Sequence, residues 1–420
     1  MTPNPIPLLL ALIVSIAVTS SHASPDVVRM LHINTTNSTY MSLLLELEIR
    51  FENLNPEIDV QIEAMTDTSL KASRERMLIT GQSPDIIYSW GGGDFQRFAR
   101  QGYLEDLSGK VTNIESALHN GASSAFRVDG IRYGLPSNLS QVGIWYNRRL
   151  LAAAGVDPSD LSSWSGFLDA IQRLKDAGIT PIAVGGKDKW PVHFYWSYLA
   201  MRQGGQKLFE SVTSNQKSWC NADYVKASQY LLQLAALEPF QSDFENHGYL
   251  EAATLFGNHQ AAMHLMGDWD IDTQRRMSET QKGVTDRDLG FAAFPTVPRG
   301  KGQATDTLGG TSGWIIPAGR ANDATLKWLE FLMSHDVQSR EAKMNISLPV
   351  LVSATQSVRT DIRKALAQSI TQSRWHQVFW DQALGSRVGS TLNDISLDLI
   401  TQNSTPRESC QQLQTAWAQR

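Results

Sequence analysis

Apolar positions along this chain switch repeatedly between a spacing of two and a spacing of three to four, and each switch marks a change from strand to helix. Residues 26–33, DVVRMLHI, read as a strand. Tyr40, Leu44, Leu47 and Phe51 then recur at intervals of 4, 3 and 4, which is one apolar face of a helix. In residues 58–64 Val60, Ile62 and Ala64 alternate with Gln61 and Glu63, the pattern of a half-buried strand. A helix from about Leu70 to Thr80 is expected to stop at Gly81, because glycine accepts the left-handed backbone that closes a helix. The apolar run Ile86, Ile87 and Tyr88 is a further strand, and a short helix follows it to Gly102. This β-α-β-α-β-α order predicts a mainly parallel sheet with helices on both faces.

A second α/β region begins after the stretch YGLPSNLSQVGIWYN, residues 133–147. Ser162 or Ser163 caps a helix whose apolar face is Trp164, Leu168, Ile171 and Leu174, closed by Gly178. The strand TPIAVGG, residues 180–186, comes next, and helical patterns run over residues 194–205 and 222–237. From about residue 291 strand pieces are separated by Pro and Gly, and residues 324–420 read almost entirely as helices. No internal repeat, low-complexity tract or long linker interrupts the chain. Two lobes joined by short crossings fit this text, with crossings expected near residues 135–141, near 290–299 and once more in the C-terminal third.

Composition narrows the function. Of 420 residues, 19% are charged, below the usual ~25% of soluble proteins. A net charge of −5 argues against a nucleic-acid partner, which calls for a basic stripe. The outlier is 12 tryptophans. Some belong in cores, and the rest point to a surface that grips something flat and apolar. At the N-terminus an apolar run of 13, residues 6–18, precedes Ser21 and Ala23, small residues at −3 and −1 of a cleavage point. It has the form of a secretory signal cleaved after Ala23, although its leading segment lacks Lys and Arg. The mature protein is expected outside the cytoplasm, where Cys220 and Cys410 can pair; two separate buried thiols are the alternative.

The search for catalytic motifs finds no phosphate-binding loop, no GxGxxG, no GxSxG and no HExxH. His259 and His264 stand five apart and share no helix face. Asp268, Asp270 and Asp272 lie close together in GDWDID but lack the later Gly and Glu of a calcium loop. Carboxylates that accept hydrogen bonds from a neutral polar ligand, or that cap the following helix, account for them better than an acid/base pair. No cofactor or metal is called for. The stretch SPDIIYSWGGGDFQRF is more telling. An apolar strand ends in Trp90, three glycines clear the backbone beside it, and ligands of open α/β sheets sit beyond such strand ends. Trp90 is either a ligand platform with glycines making room for backbone N–H groups, or a plug over the lobe with the glycines forming a turn.

Six segments stand in order: FENLNPEIDVQIE, SPDIIYSWGGGDFQRFARQGYLEDLS, YGLPSNLSQVGIWYNRRLLAAAGV, AAMHLMGDWDID, FPTVPRG and GGTSGWIIP. Together they resemble the extracellular solute-binding proteins of bacterial ABC importers, in the carbohydrate-binding branch related to maltose-binding protein. The resemblance implies an α/β fold of two hinged lobes with a largely helical C-terminal region. It divides the chain into residues 24–137 with about 291–345, and 138–290 with about 346–420. It implies a periplasmic, monomeric binding component that is not an enzyme and that delivers a mono- or small oligosaccharide to permease subunits.

Taken residue by residue, it points to Trp90 with Gly91, to Trp269 and Asp270 of MGDWD, and to Asn138 after GLP. Trp190 and His193 follow from GGKDKWP, Gly310 and Thr311 from LGGTSG, and Trp380 and Asp381 from FWDQAL. Gly91 to Gly93 replace the charged residues that follow the first tryptophan in maltose-type proteins. Two other classes remain open at this stage. A polyamine-type solute would use carboxylates among aromatics, with Asp94, Asp268, Asp270 and Asp381 available. A secreted glycan-active enzyme would need a paired acid and base.

Overall fold

The computed structural model describes residues 25–33, 38–119, 122 and 126–420. The expected signal segment, residues 1–23, lies outside them. The first region folds as its periodicity dictates. β1 (Asp26–His32), β2 (Ile58–Ala64) and β3 (Ile86–Trp90) pair in parallel, joined through the helices Thr39–Leu54 and Asp67–Thr80. Ser38 and Thr66 cap these helices by accepting from the backbone N–H of Met41 and Ser69, and Gly81 closes the second at φ 67°. The first helix buries Met41, Leu43, Leu44, Leu47 and Phe51, whereas Tyr40, which shares the apolar period, is only half-buried.

Two short strands, β4 (Arg127–Val128) and β5 (Ile131–Arg132), pair only with each other. The remaining strands are β6 (Gly134–Asn147), β7 (Thr180–Ala183), β8 (Ala261–Gly267), β9 (Leu289–Ala292), β10 (Thr307–Ile315) and β11 (His376–Val378). The main sheet runs β2-β1-β3-β10-β6-β8-β7, with β11 beside β10 and β9 beside β6. It is mixed rather than mainly parallel: β10 is antiparallel to β3 and β6, and β6 is antiparallel to β8 and β9. The expectation failed because the βαβ pattern of the first region does not continue through the 14-residue strand β6 and its antiparallel partner β10.

β6 serves two groups of strands. Residues Gly134 to Gln141 pair with β10, and Val142 onward pair with β8 and β9. At the changeover the Gln141 N–H donates to Asp268 Oδ1 at 3.2 Å, and the Asp268 N–H donates to the Gln141 carbonyl at 3.1 Å. Arg363, from the helix Asp361–Gln372, donates to the other Asp268 oxygen at 3.1 Å and also to the Asn345 carbonyl. The segment after β9 stays on the long helix Trp190–Thr213. The Arg202 guanidinium of that helix donates to the carbonyls of Phe294, Ala304 and Asp306. The chain enters β10 at Thr307.

Most tryptophans are core. Trp145, Trp164, Trp196, Trp219, Trp314, Trp328, Trp375 and Trp417 are all buried. Trp380 joins them: it is wholly buried against Phe209, Trp196, Trp219 and Tyr224, so it cannot meet a ligand as the sequence suggested. Cys220 and Cys410 are bonded, tying the turn before the helix Ala222–Ala235 to the C-terminal helix Pro406–Ala418. No helix among the described residues is long and apolar enough to cross a membrane.

Candidate functional site

β1 ends at His32, β3 at Trp90 and β8 at Gly267, and beyond these carboxyl ends lies a cleft of about 590 Å³. That volume falls within the ~300–1,000 Å³ of small-molecule sites. One wall is aromatic and comes from the first strands: His32 lies 4.9 Å from Tyr40 and 4.7 Å from Tyr88, and Tyr88 meets Trp90 edge-on at 5.3 Å. The facing wall is built from Trp190, Tyr249, Trp269 and Phe379. Trp190 is 5.3 Å from Tyr249 and 6.4 Å from Trp269, and Trp269 meets Phe379 edge-on at 5.8 Å.

Trp269 remains half-buried, and its position depends on the sequence just before it. A Cβ on Gly267 would fall 2.0 Å from the Trp269 ring, so only glycine lets the ring fold back over the end of β8. Trp90 is 9% exposed, with Lys71 Nζ 4.8 Å and the Arg74 guanidinium 5.6 Å from its ring. These cations hold the ring in place and leave it less open than Trp269.

Of the glycines after Trp90, Gly92 and Gly93 make room for the chain, and Gly91 bonds to it. The Gly91 N–H already donates to the Thr311 carbonyl at 3.3 Å. A Cβ on Gly92 would fall 2.4 Å from the Gln382 carbonyl oxygen, and one on Gly93 would fall 2.6 Å from the Gly385 nitrogen. Gly92 also sits at φ 126°, where an L side chain is strained. Gly91, Thr311 and Gly310 therefore do not line the cleft; Gly310 instead gives space to the Phe379 ring, 2.9 Å from where its Cβ would be. Asp270 is likewise withdrawn. It is 1% exposed and its Oδ2 lies 2.8 Å from His264 Nδ1.

The polar groups that do reach the cleft include Asn138, His193 and Asp381. Asn138 Oδ1 accepts from the Ser312 N–H at 3.2 Å. His193 is fully buried, and its Nδ1 lies 2.6 Å from the Trp190 carbonyl, which fixes the proton on Nδ1. Burial holds the imidazole below its ordinary pKa, against the opposing pull of Asp381. The bare Nε2 has no hydrogen-bond partner and stands 3.6 Å from Asp381 Oδ1. Two acceptors facing each other call for a donor between them.

Lys71, Arg276 and Glu341 also line the cleft. Glu341 is buried, and burial pushes its carboxyl up to about 8. Six of the eleven expected positions meet at this cleft: Trp90, Asn138, Trp190, His193, Trp269 and Asp381. Sequence reasoning missed His32, Tyr40, Lys71, Tyr249, Arg276, Glu341 and Phe379. Tyr40 carried a signal, since an aromatic with a hydroxyl at the first turn of an apolar face is poorly explained by burial alone. Glu341 carried none. Among the described residues, no group of three or more His, Cys, Asp and Glu side chains is placed to hold a metal.

The sequence profile of the bacterial extracellular solute-binding proteins matches residues 34–339. This chain belongs to that family. It is similar to an uncharacterized ABC transporter extracellular-binding protein of Pyrococcus horikoshii, 24% identical over 84% of this chain and 79% of that one. Two solved structures share the two-lobed fold of this solute-binding protein. One comes from work on xylan utilization by Caldanaerobius polysaccharolyticus, with a TM-score of 0.86 at 22% identity over 93% of this chain and 99% of that chain. The other is a chitin oligosaccharide binding protein, with a TM-score of 0.83 at 22% identity over 94% of this chain and 98% of that chain. Family membership makes this an extracellular protein; the cleavage after Ala23 falls outside the described residues.

Proposed function

We propose that this solute-binding protein captures a mono- or small oligosaccharide between its lobes and delivers it to the permease of an ABC importer. The observation that carries the reading is the cleft itself, which sets facing aromatic walls around an unsatisfied acceptor pair, His193 Nε2 and Asp381 Oδ1. A pyranose offers CH-rich faces for the rings and hydroxyl hydrogens for the acceptors. The chitin oligosaccharide binding protein supports the same ligand class. Trp90, Asn138, Trp190, His193, Trp269 and Asp381 are the contact residues of this reading. The protein acts as an exported periplasmic monomer, cleaved after Ala23, and binds without turnover. Its first lobe takes residues 24–137, and the Arg202 bonds support moving that lobe's return from about 291 to about 307. A polyamine is disfavoured because three of its four expected carboxylates are occupied: Asp268 by Arg363, Asp270 by His264, and Asp94 by Arg74, Arg97 and the Ser386 N–H.

Calorimetric titration with chito-, xylo- and malto-oligosaccharides tests the reading. Trp269→Ala is expected to weaken the saccharide that binds by about 2 kcal/mol or more, as loss of a buried aromatic anchor does. That is roughly tenfold or more in Kd, since about 1.4 kcal/mol is one decade. Gly267→Ala should cost a similar amount although it touches no ligand, because the new Cβ displaces the ring. A Trp269→Ala protein that binds normally but melts far below the parent would make this ring a core residue.

A further inference from the structure

Glu341 lies on the helix His335–Lys343, lines the cleft and is 3% exposed. Both of its hydrogen bonds fall on one oxygen: Ser347 Oγ donates to Oε2 at 2.9 Å and Gln338 Nε2 donates to it at 3.5 Å. Oε1 is left to the cleft. The charged and titratable groups around it offer no counter-ion. His32 of β1 is held neutral by burial, its pKa lowered to about 3. Burial raises the hydroxyls of Tyr40 and of Tyr88 on β3, so both stay uncharged at neutral pH. Lys71 pairs with Asp67 at 3.0 Å, and Arg276 faces Asp272 at 3.9 Å.

We propose that Glu341 is a ligand-contacting residue whose neutral carboxyl donates from Oε1 to an uncharged oxygen of the saccharide, so that capture weakens in alkaline solution. This rests on the saccharide reading above. A buried carboxyl with no cation beside it is expensive to ionise, and a ligand that expels water from the cleft makes it more so. With the carboxyl pushed up to about 8 in the free protein, binding above that pH must take up a proton. A glutamine of the same shape would fill the space and bond to Ser347 without this dependence. An acid at this position is therefore better explained by the ligand than by packing.

The test measures affinity by calorimetry from pH 6 to pH 10, using whichever chito-, xylo- or malto-oligosaccharide binds the parent at pH 7. The parent should hold its affinity to about pH 8 and then lose up to tenfold per pH unit, with one proton taken up per ligand. Glu341→Gln should bind across the whole range without that decline, because its amide stays neutral and still donates. Its melting temperature should exceed the parent's at alkaline pH. In the parent the stability lent by the neutral carboxyl is complete below the ordinary glutamate pKa of 4.5 and is lost as pH rises through about 8. A parent that binds with equal affinity at pH 7 and pH 10, or a Glu341→Gln that declines in parallel with it, overturns the proposal while leaving the saccharide reading intact. A parent that binds none of these saccharides at pH 7 overturns both.

Discussion

Replacing Asp268 with alanine is expected to destabilise this protein by about 3–5 kcal/mol, the usual cost of removing one partner from a buried ion pair. Arg363 is 0% exposed and Asp268 is 3% exposed, so the guanidinium left behind has no water to replace its partner. Burial pushes the Asp268 carboxyl up and the Arg363 guanidinium down, and their mutual attraction offsets this only in part. The pair is therefore not a large net source of stability while intact, yet it is costly to break. Asp268 also accepts from the Gln141 N–H, where β6 exchanges β10 for β8. Alanine leaves that buried N–H without its acceptor as well. Asp268→Asn keeps one acceptor oxygen, enough for one of the two donors, and should lose less than alanine does. Urea denaturation of ligand-free protein checks this, and equal midpoints for the parent and Asp268→Ala would refute the assigned role.

The same residue shows how far the sequence could be read. Asp268 was visible as one of three clustered acids, but a neutral ligand or a helix cap was the partner expected for them, whereas Asp268 pairs with Arg363 and Asp270 with His264. Its partner Arg363 lies 95 positions away in a helical region with nothing to mark it. Local patterns reported local structure well. The alternation in β2, the Gly81 stop and the apolar run into Trp90 each formed as their spacing dictates, because each depends on neighbours within a few residues. Long-range pairing was another matter. No periodicity distinguishes a strand that serves one group of partners from β6, which serves two. The three glycines after Trp90 illustrate the limit most plainly. A requirement for close approach was legible in the glycine run, although it holds only for Gly92 and Gly93, since a Cβ on Gly91 would meet nothing nearer than 3.8 Å; the approaching group was not legible. That group is the backbone of residues 382–385, nearly 300 positions later. Gly267 was the more useful glycine for the site, since it lies two residues before Trp269 and admits that ring directly.

Removing the Cys220–Cys410 bond, by the double change Cys220→Ser and Cys410→Ser, is expected to lower stability by about 2–4 kcal/mol and leave saccharide affinity unchanged. The bond closes a loop between residues 190 positions apart, and a cross-link of that span removes much conformational freedom from the unfolded chain. The folded state has less need of it. The C-terminal helix is also held by Gln414, which accepts from Ser218 Oγ and the Trp219 N–H, and by Trp417, whose indole donates to Asn215. Leu413 and Trp417 are buried in the same interface. The helix should therefore stay docked below the lowered melting point. Neither cysteine lines the cleft, and the residues that do are positioned by strand ends and by the helix Trp190–Thr213. Denaturation midpoints and calorimetric titration of the same variant separate the two effects. An unchanged midpoint would mean the cross-link constrains little that the unfolded chain had to lose. A fall in affinity at temperatures well below melting would mean the C-terminal helix supports the cleft, contrary to the positions of its contacts.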